Sequence, residues 1–182
     1  MYNDVDRVLI DKDGIDAMTA RLGEEITKDY EGKDLVVLGV LKGGFIFTAD
    51  LVRKINIPVE IDFIAASSYG SGTKTTGVVH LKKDTEISLE GKHLLIVEDI
   101  VDSGVTLSYL KKFFESRKPI SVKICTAFDK PARRIAKELK IDYVGAVIED
   151  EFVIGYGLDY DEKMRNIPEL CVLKRSVYEQ ED

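Results

Sequence analysis

Cysteine and histidine are scarce in this sequence, which carries two of each among 182 residues. Cys125 and Cys171 do not have the spacing of a metal site, and Cys125 stands in an apolar run that predicts a buried thiol. His80 and His93 are too few and too scattered to predict a histidine metal site. Free thiols fit a reducing compartment, so we expect a cytoplasmic protein.

Long apolar runs are also absent, since no stretch approaches the roughly 20 residues that span a membrane. Residues 1–13 are polar and acidic, so we expect neither a signal peptide nor a membrane partner. The sequence has no internal repeat, no low-complexity tract and no evident linker. Its length then favours one domain over residues 1–182, large enough for a substantial core.

Basic residues are in deficit, with 26 Lys and Arg against 33 Asp and Glu and a net charge of −7. Nucleic-acid binding needs a concentrated basic face, so we expect no nucleic-acid partner. The same balance still allows a small polyanion as a ligand. A locally positive pocket with bound magnesium holds such a ligand even on an acidic protein.

Apolar periodicity predicts alternating helices and strands. Residues 15–30 have the spacing of an amphipathic helix, and residues 35–41 form an unbroken apolar run typical of a buried strand. A second helix is predicted after the glycines at 43–44, and Pro131 is expected to begin another. Further strands are predicted at residues 59–66, 78–82, 94–97, 122–128 and 143–148. The stretch after residue 148 is expected to be irregular apart from 170–173.

Strands that alternate with helices predict an α/β fold with a mainly parallel twisted sheet flanked by helices. Ligands of such sheets bind outside the carboxyl ends of the strands. The four predicted parallel strands end in the charged or Gly-rich stretches LKGG, EDIVDSG, DK and ED. We therefore expect one site, built from four loops at one edge of the sheet.

Residues 94–107, LLIVEDIVDSGVTL, carry the most specific pattern in the chain. The apolar run predicts a buried strand, and Glu98 and Asp99 follow it directly as an acidic turn. Residues 102–106 are mostly small and polar, and apolar residues then recur at helical spacing. The predicted order is therefore strand, acidic turn, tight loop and helix.

This order favours a particular ligand. A helix N-terminus offers free N–H groups and a positive dipole end, which suit a phosphate. Gly104 allows close approach of the backbone, and Ser103 and Thr106 add hydroxyl donors. Glu98 and Asp99 instead suit sugar hydroxyls or a magnesium ion. Together they predict a site for a phosphorylated ribose, whereas the alternative is a polar connection with ordinary helix caps.

Two further stretches have both a functional and an ordinary interpretation. Lys42 and Gly43 would hold pyrophosphate through an ammonium and free N–H groups, or would only begin a helix beside a solvated lysine. Ser68, Tyr69 and the Gly-rich stretch to residue 77 predict a lid that excludes water, or a disordered hairpin tip.

Three residues in the second half offer contacts to a flat base. Lys130 would donate from a strand end to a carbonyl oxygen, or would be a surface lysine at a helix start. Phe152 would stack on a base, and the backbone of Val153 would pair with the edge of the base. The alternative for Phe152 is a core aromatic.

Residues 94–107 resemble the phosphoribosyl-pyrophosphate (PRPP) signature of the type I phosphoribosyltransferases. Four further motifs stand in the order of that family, namely LKGG at 41–44, SSYG at 67–70, DKP at 129–131 and EFVIGYGLDY at 151–160. With them, nearly the whole chain resembles the bacterial hypoxanthine (hypoxanthine-guanine) branch of the family. The resemblance implies a core over about 30–148 and a small hood made from terminal segments, with a purine-binding part over about 149–182.

The resemblance also implies an activity, which is transfer of the phosphoribosyl group from PRPP to N9 of hypoxanthine or guanine. It implies Mg²⁺ as cofactor and a homodimer or homotetramer as the assembly. The implied metal ligands are Glu98, Asp99 and Asp159. The loop implied to hold the 5′-phosphate consists of Asp102, Ser103, Gly104, Val105 and Thr106.

Other implied roles concern catalysis, pyrophosphate and the base. Asp102 accepts a proton from the base at N7, and Ser68 and Tyr69 belong to a catalytic loop. The pyrophosphate ligands are Lys42, Gly43 and Arg165, and the peptide joining Leu41 to Lys42 can be cis. The purine-binding residues are Lys130, Phe152, Val153 and Asp159.

Three alternatives stay open. A relative that prefers xanthine or guanine would share every motif above. A PRPP-sensing regulator would keep the fold but bind nucleic acid, against which the acidic balance argues. A generic nucleotide-binding or dehydrogenase-like protein is disfavoured because the sequence lacks GxGxxG after a strand and lacks GxxxxGK[ST].

Overall fold

The computed structural model describes residues 2–68 and 79–179 of the chain. Its strands are β1 (Val5–Ile10), β2 (Leu35–Leu41), β3 (Val59–Ser68), β4 (Val79–Lys83), β5 (His93–Val101), β6 (Ser121–Asp129), β7 (Tyr143–Val147), β8 (Val153–Ile154) and β9 (Leu170–Leu173). Its α-helices are α1 (Lys12–Tyr30), α2 (Phe45–Val52), α3 (Val105–Glu115) and α4 (Arg175–Tyr178). Single 3-10 turns cover Tyr2–Asp4 and Pro131–Arg133.

The central sheet has six strands in the order β4-β3-β2-β5-β6-β7. All neighbours are parallel except β3 and β4, which form an antiparallel hairpin. The sheet is therefore mainly parallel, as the alternation of strands and helices predicts. β2 is buried along residues 35–40 because both of its faces are covered, which explains its unbroken apolar sequence.

Helices cover both faces of this sheet. α1 begins at Asp11, whose side chain accepts a hydrogen bond from the Gly14 N–H at 2.9 Å and so caps the helix. Leu22 and Ile26 of α1 are fully buried in one core cluster, which also contains residues of α2. Leu110 of α3 is fully buried in a second cluster on the other face. The fold class is thus the predicted one.

The terminal segments form a separate small sheet. Its order is β1-β9-β8, with antiparallel pairing throughout. We call this sheet, together with residues 155–169 between β8 and β9, the hood. Val153, Tyr156 and Leu170 of the hood belong to the same buried cluster as α1 and α2, so the hood packs on the central sheet.

Two predictions about secondary structure are wrong. The strand predicted at 94–97 continues through Glu98 and Asp99 to Val101, because Val101 is buried and pairs with Asp129 of β6. The carboxylates thus lie in the strand and not in a turn. Pro131 begins only a single 3-10 turn, since the N–H groups of the chain that follows, at 135–136, donate to the Ser103 carbonyl.

Two short strands, β1 and β8, were not predicted from the sequence. β1 lies in the polar N-terminal stretch, where residues 6–8 are exposed and Val5, Leu9 and Ile10 are partly buried. β8 has only two residues, in a segment expected to be irregular, and pairs with β9. Within the described residues, none of the helices combines the length and the apolar character required to cross a membrane.

Candidate active site

The carboxyl ends of β2, β5, β6 and β7 meet at one edge of the sheet. Adjacent strands in the order β2-β5-β6-β7 run in the same direction, so the stretches that follow them are brought together. The N–H of Lys130, after β6, donates to the carbonyl of Val101 at the end of β5 at 3.0 Å. The four predicted loops therefore lie at one edge of the sheet, as expected.

Glu98 and Asp99 form a buried acidic pair at the end of β5. Asp99 is 8% exposed and accepts a hydrogen bond from the Ile100 N–H at 2.9 Å. Burial raises the pKa of both carboxyl groups, most strongly for Glu98, where the neighbouring Asp99 adds to the effect. A cation placed beside such a pair would favour the charged form of its carboxyl groups.

The turn after β2 packs directly on this acidic pair. A Cβ atom added to Gly43 would lie 1.6 Å from Oδ2 of Asp99, so only glycine fits there. On its other side, the carbonyl oxygen of Gly43 would meet a Cβ added to Gly157 of the hood at 2.1 Å. The backbone of Gly43 is therefore held between a carboxylate and the hood.

Residues 102–106 form the loop between β5 and α3. Gly104 has φ 74°, in the left-handed region that favours glycine, directly before the first residue of α3. Arg134 connects this loop to β6: its Nε donates to the carbonyl of Asp102 at 3.0 Å, and its guanidinium pairs with Asp129. Glu98 lines a cavity of about 230 Å³ together with Asp102, Ser103, Gly104 and Thr106.

Asp102 carries an unsatisfied polar atom in this loop. Its Oδ1 is buried and has no hydrogen-bond partner in the described part of the chain. A buried acceptor without a donor costs about 1–3 kcal/mol, so it marks a position where a ligand is expected to donate. The side chain is thus available for a proton or a hydrogen bond from a substrate.

The residues assigned to pyrophosphate form an ion-pair network. The Leu41–Lys42 peptide bond is cis. Lys42 Nζ lies 2.8 Å from Oε2 of Glu162, and Arg165 NH2 lies 3.1 Å from the same oxygen and 2.9 Å from Oδ1 of Asp159. Hydrogen bonds from Lys42 and Arg165 lower the pKa of Glu162. The hood thus brings Asp159 and Arg165 to the turn after β2.

Lys130 is buried at the end of β6, with 5% exposure. Its Nζ donates to the carbonyl of Glu151 at 2.8 Å and lies 3.9 Å from Asp150. The ordinary interpretation as a solvated surface lysine is therefore wrong. A buried ammonium at a strand end has donors left for a ligand, because the group carries three.

Phe152 lies at the surface of the hood and not in the core. It is 39% exposed, and its ring stacks on Tyr178 of α4 with centroids 4.9 Å apart and an interplanar angle of 23°. Tyr160 contacts it edge-on. Val153 is 7% exposed and belongs to β8. The interpretation of Phe152 as a core aromatic is therefore wrong.

Some predicted site residues are not brought into these groups. Ser68 ends β3, where it pairs with Val79. Tyr69 lies outside the described residues. Three residues that contact the site were missed, namely Arg134, Glu162 and Tyr178. Each of them stands in a charged or terminal stretch without a recognisable motif. No feature of the sequence therefore indicated that it contacts the site.

The residues fit a magnesium ion in the chemistry of their donors. Glu98, Asp99 and Asp159 offer hard carboxylate oxygens, which Mg²⁺ prefers. Among the described residues no group of three or more such side chains converges on a complete metal site. Magnesium usually takes one or two carboxylates and completes its shell with water and substrate phosphates, so an incomplete protein shell suits it.

The fold and the site together define an α/β protein in which a loop at the start of a helix lies beside two adjacent carboxylates, Glu98 and Asp99. The chain belongs to the phosphoribosyl transferase domain family, whose model matches residues 9–161. The hypoxanthine-guanine phosphoribosyltransferase of Streptococcus pneumoniae (strain ATCC BAA-255 / R6) is 46% identical over 178 residues, which cover 98% of each chain. This match confirms the family resemblance of the sequence motifs.

Solved structures agree with the curated relatives. A hypoxanthine phosphoribosyltransferase from Staphylococcus aureus superposes with a TM-score of 0.96 at 46% identity, covering 99% of this chain and 97% of that one. The bifunctional protein TilS/HprT of Listeria monocytogenes (strain F2365) is 47% identical over 178 residues. The chain spans only 27% of the length of that bifunctional relative.

Proposed function

We propose that this chain transfers the 5-phosphoribosyl group from PRPP to N9 of hypoxanthine or guanine, giving IMP or GMP and pyrophosphate. The observation that carries the proposal is the buried Oδ1 of Asp102, which has no hydrogen-bond partner within residues 2–68 and 79–179 and lies in the loop beside Glu98. A phosphorylated ribose fits this loop, and the free carboxylate oxygen fits a donor on the base. The names of relatives near 46% identity support a role in purine salvage.

The reaction replaces pyrophosphate at C1 of the ribose and inverts that carbon. Because C1 carries a ring oxygen, the transition state resembles an oxocarbenium ion. Magnesium would be held by Glu98 and Asp99, with Asp159 completing a second magnesium site, and it would supply neutralising charge to the leaving pyrophosphate. Lys42 and Arg165 contribute fixed positive charge to the same group, and the planar fork of Arg165 fits phosphate oxygens.

Substrate positioning falls to the loop and the strand ends. The N–H groups and hydroxyls of Ser103, Gly104, Val105 and Thr106 hold the 5′-phosphate at the start of α3. Glu98 and Asp99 hold the ribose hydroxyls, directly or through the metal. Asp102 accepts the proton from N7 of the base as the N9 bond forms, since its buried Oδ1 has no hydrogen-bond partner among the described residues.

Base selection is assigned to Lys130, Phe152 and Val153. The buried ammonium of Lys130 donates to the 6-oxo group, the ring of Phe152 stacks on the purine, and the backbone of Val153 pairs with its edge. Adenine carries an amino group at that position and leaves the ammonium without an acceptor. We therefore expect adenine to be rejected.

The remaining parts of the proposal concern the lid and the assembly. Ser68, Tyr69 and the stretch to residue 77 are proposed to close over the pyrophosphate and exclude water. The active assembly is proposed to be a homodimer or homotetramer in the cytoplasm. Sedimentation at several protein concentrations measures this assembly, and a monomer at working concentration would contradict it.

A coupled spectrophotometric assay tests the function. PRPP and magnesium are supplied, and hypoxanthine, guanine, xanthine and adenine are offered in turn while pyrophosphate release is followed. We expect turnover of hypoxanthine or guanine that stops when the metal is chelated. Turnover of xanthine alone would identify a xanthine-preferring enzyme. Tight PRPP binding without turnover of any base would identify a regulator and remove the roles given to Lys130 and Asp102.

A further inference from the structure

A carboxylate of the hood lies between the two cations that the proposed function assigns to pyrophosphate. One oxygen of Glu162 accepts hydrogen bonds from Lys42 Nζ at 2.8 Å and from Arg165 NH2 at 3.1 Å. Lys42 belongs to the turn after β2, 120 positions before Glu162 in sequence. A single carboxylate oxygen therefore joins cations from two distant segments.

The contact of Glu162 has the form of a phosphate contact. A phosphate oxygen also accepts charge-assisted hydrogen bonds from an ammonium and a guanidinium at these distances. Arg165 also donates to the carbonyl of Gly157 at 2.9 Å and pairs with Asp159, so its guanidinium is held in place. Glu162 thus occupies a position that suits one pyrophosphate oxygen.

The local backbone aims Glu162 at this position. Asp161 and Glu162 have φ 49° and 61°, in the left-handed region that side chains other than glycine rarely adopt. The N–H of Glu162 donates to Oδ2 of Asp159 at 2.9 Å and closes the turn. The turn therefore fixes the backbone from which the carboxylate reaches the cations.

The pair is also open enough to be replaced. The side chains of Lys42 and Glu162 are 67% and 63% exposed, and exposed ion pairs contribute little to stability. Pyrophosphate carries more charge than one carboxylate and binds a guanidinium through two oxygens. A ligand of this kind displaces Glu162 without disturbing the fold.

We propose that Glu162 is a positioning residue that stands in for a pyrophosphate oxygen and is displaced when PRPP or pyrophosphate binds. Resting on the proposed function, this role makes Glu162 a competitor within the site. It keeps Lys42 and Arg165 together in the free enzyme, and it weakens the hold on pyrophosphate so that the product leaves.

The test compares E162Q with the wild-type chain in calorimetric titrations with pyrophosphate and magnesium. Glutamine keeps the size of the side chain but removes the charge that competes with phosphate. We expect E162Q to bind pyrophosphate about fivefold more tightly, the scale of one exposed ion pair. In the assay, product inhibition by pyrophosphate should strengthen equally, and KM for the base should not change.

E60Q is the matched control. Glu60 is 50% exposed and pairs with Lys92 at 2.5 Å, at the surface of β3 and outside the site. Its replacement should leave pyrophosphate affinity unchanged. In a K42M background, the gain from E162Q should shrink, since one of the two cations that Glu162 occupies is gone.

Equal or weaker binding of pyrophosphate by E162Q, with E60Q unchanged, would overturn the proposal. The titration needs no turnover, so its outcome is separate from that of the proposed function. Tighter binding in E162Q without transferase activity in the wild-type chain would sustain the competition and refute the activity. No binding to either protein would overturn both.

Discussion

At the scale of single residues, Lys130 is a buried lysine whose ammonium and backbone N–H are both held in place. Its Nζ donates to the Glu151 carbonyl, and its N–H donates to the Val101 carbonyl at the end of β5, one residue before Asp102. The proposed donor to the base and the proposed acceptor of its proton therefore directly follow the adjacent strands β6 and β5.

Replacing Lys130 with methionine should remove the donor to the 6-oxo group and leave the Glu151 carbonyl without a partner. We expect kcat/KM for hypoxanthine or guanine to fall roughly 10- to 100-fold, the scale of a charged hydrogen bond. Affinity for PRPP should be retained. Steady-state kinetics with each substrate varied in turn measures both.

K140M is the control for this loss of positive charge, because the Lys140 side chain is 78% exposed and pairs with Asp142 at 3.4 Å. Its kinetics should match those of the wild-type chain. If K130M retained full kcat/KM for its best base, Lys130 would have no part in recognising the base.

The burial of Lys130 was not predictable from the sequence. The residues DKP indicate the end of a strand. The carbonyl that accepts a hydrogen bond from the Lys130 ammonium belongs to Glu151, which lies 21 positions away in the sequence. Asp102 differs, because residues 94–107 locate it within a specific pattern. Its unpaired oxygen, however, depends on neighbours from several elements, and the sequence does not reveal them.

At the scale of elements, the turn between β2 and α2 is the tightest part of the site. Gly43 lies against Asp99 on one side and Gly157 on the other, with projected contacts of 1.6 and 2.1 Å to added Cβ atoms. The turn, the end of β5 and the hood are therefore in close contact at Gly43. We expect a larger residue at this position to displace Asp99.

Gly43→Ala should push Asp99 away from its position and reduce binding of PRPP with magnesium by roughly tenfold or more, since overpacking of this kind costs about 1–3 kcal/mol. Titration of PRPP into the variant in the presence of magnesium measures the loss. The fold should persist, as judged by circular dichroism.

Gly32→Ala is the control for Gly43→Ala. It adds a methyl group at a glycine with positive φ but creates no clash in the site. Gly32 has φ 71° and no atom within 4 Å of an added Cβ. This variant should lose about 1 kcal/mol of stability while keeping its PRPP affinity. If Gly43→Ala bound PRPP normally, the turn would have adapted to the added methyl group. The turn would then not determine the positions of Glu98 and Asp99.

The helix α4 contacts Phe152, a residue proposed to bind the base, through Tyr178. Because Tyr178 stacks on Phe152, its removal should free the Phe152 ring and raise KM for the base about threefold to tenfold, the scale of an aromatic pair. Tyr178→Phe should retain the wild-type KM. Kinetics of Tyr178→Ala and Tyr178→Phe with the base varied give the comparison, and equal KM values would remove α4 from the base site.

The elements of the central sheet were predictable, whereas β9 was the only strand of the hood that the sequence predicted, at 170–173. β2 and α1 are marked by their periodicity, because burial on both faces or on one face dictates which positions are apolar. β8 has two residues, so no period exists to be recognised. The end of β5 was missed because Glu98 and Asp99 look like a turn until β6 is placed beside them.

At the scale of the whole molecule, the central sheet and the hood share one core. Val153 and Leu170 of the hood are buried with Leu95 and Phe128 of the sheet in a single cluster. We therefore expect one cooperative unfolding transition for residues 1–182, in line with the predicted single domain. Differential scanning calorimetry should give equal calorimetric and van't Hoff enthalpies.

A second transition in the calorimeter would divide the chain into a hood and a core that unfold separately. The division predicted near residue 149 would then be a true boundary. The ligand provides a check on the same claim. PRPP with magnesium contacts both parts in the proposed site, so it should raise the single transition without splitting it.

We expect the loop after β5 to hold PRPP during phosphoribosyl transfer, with Asp102 as the proton acceptor. The most direct measurement compares the wild-type chain with Asp102→Asn in PRPP binding and in turnover of its best base, with IMP or GMP and pyrophosphate quantified together. We expect the wild-type chain to form both products in equal amounts. Asp102→Asn should bind PRPP with nearly unchanged affinity, while kcat falls roughly 10²- to 10⁴-fold. Unchanged turnover by Asp102→Asn would contradict the proposed role of Asp102 as the proton acceptor.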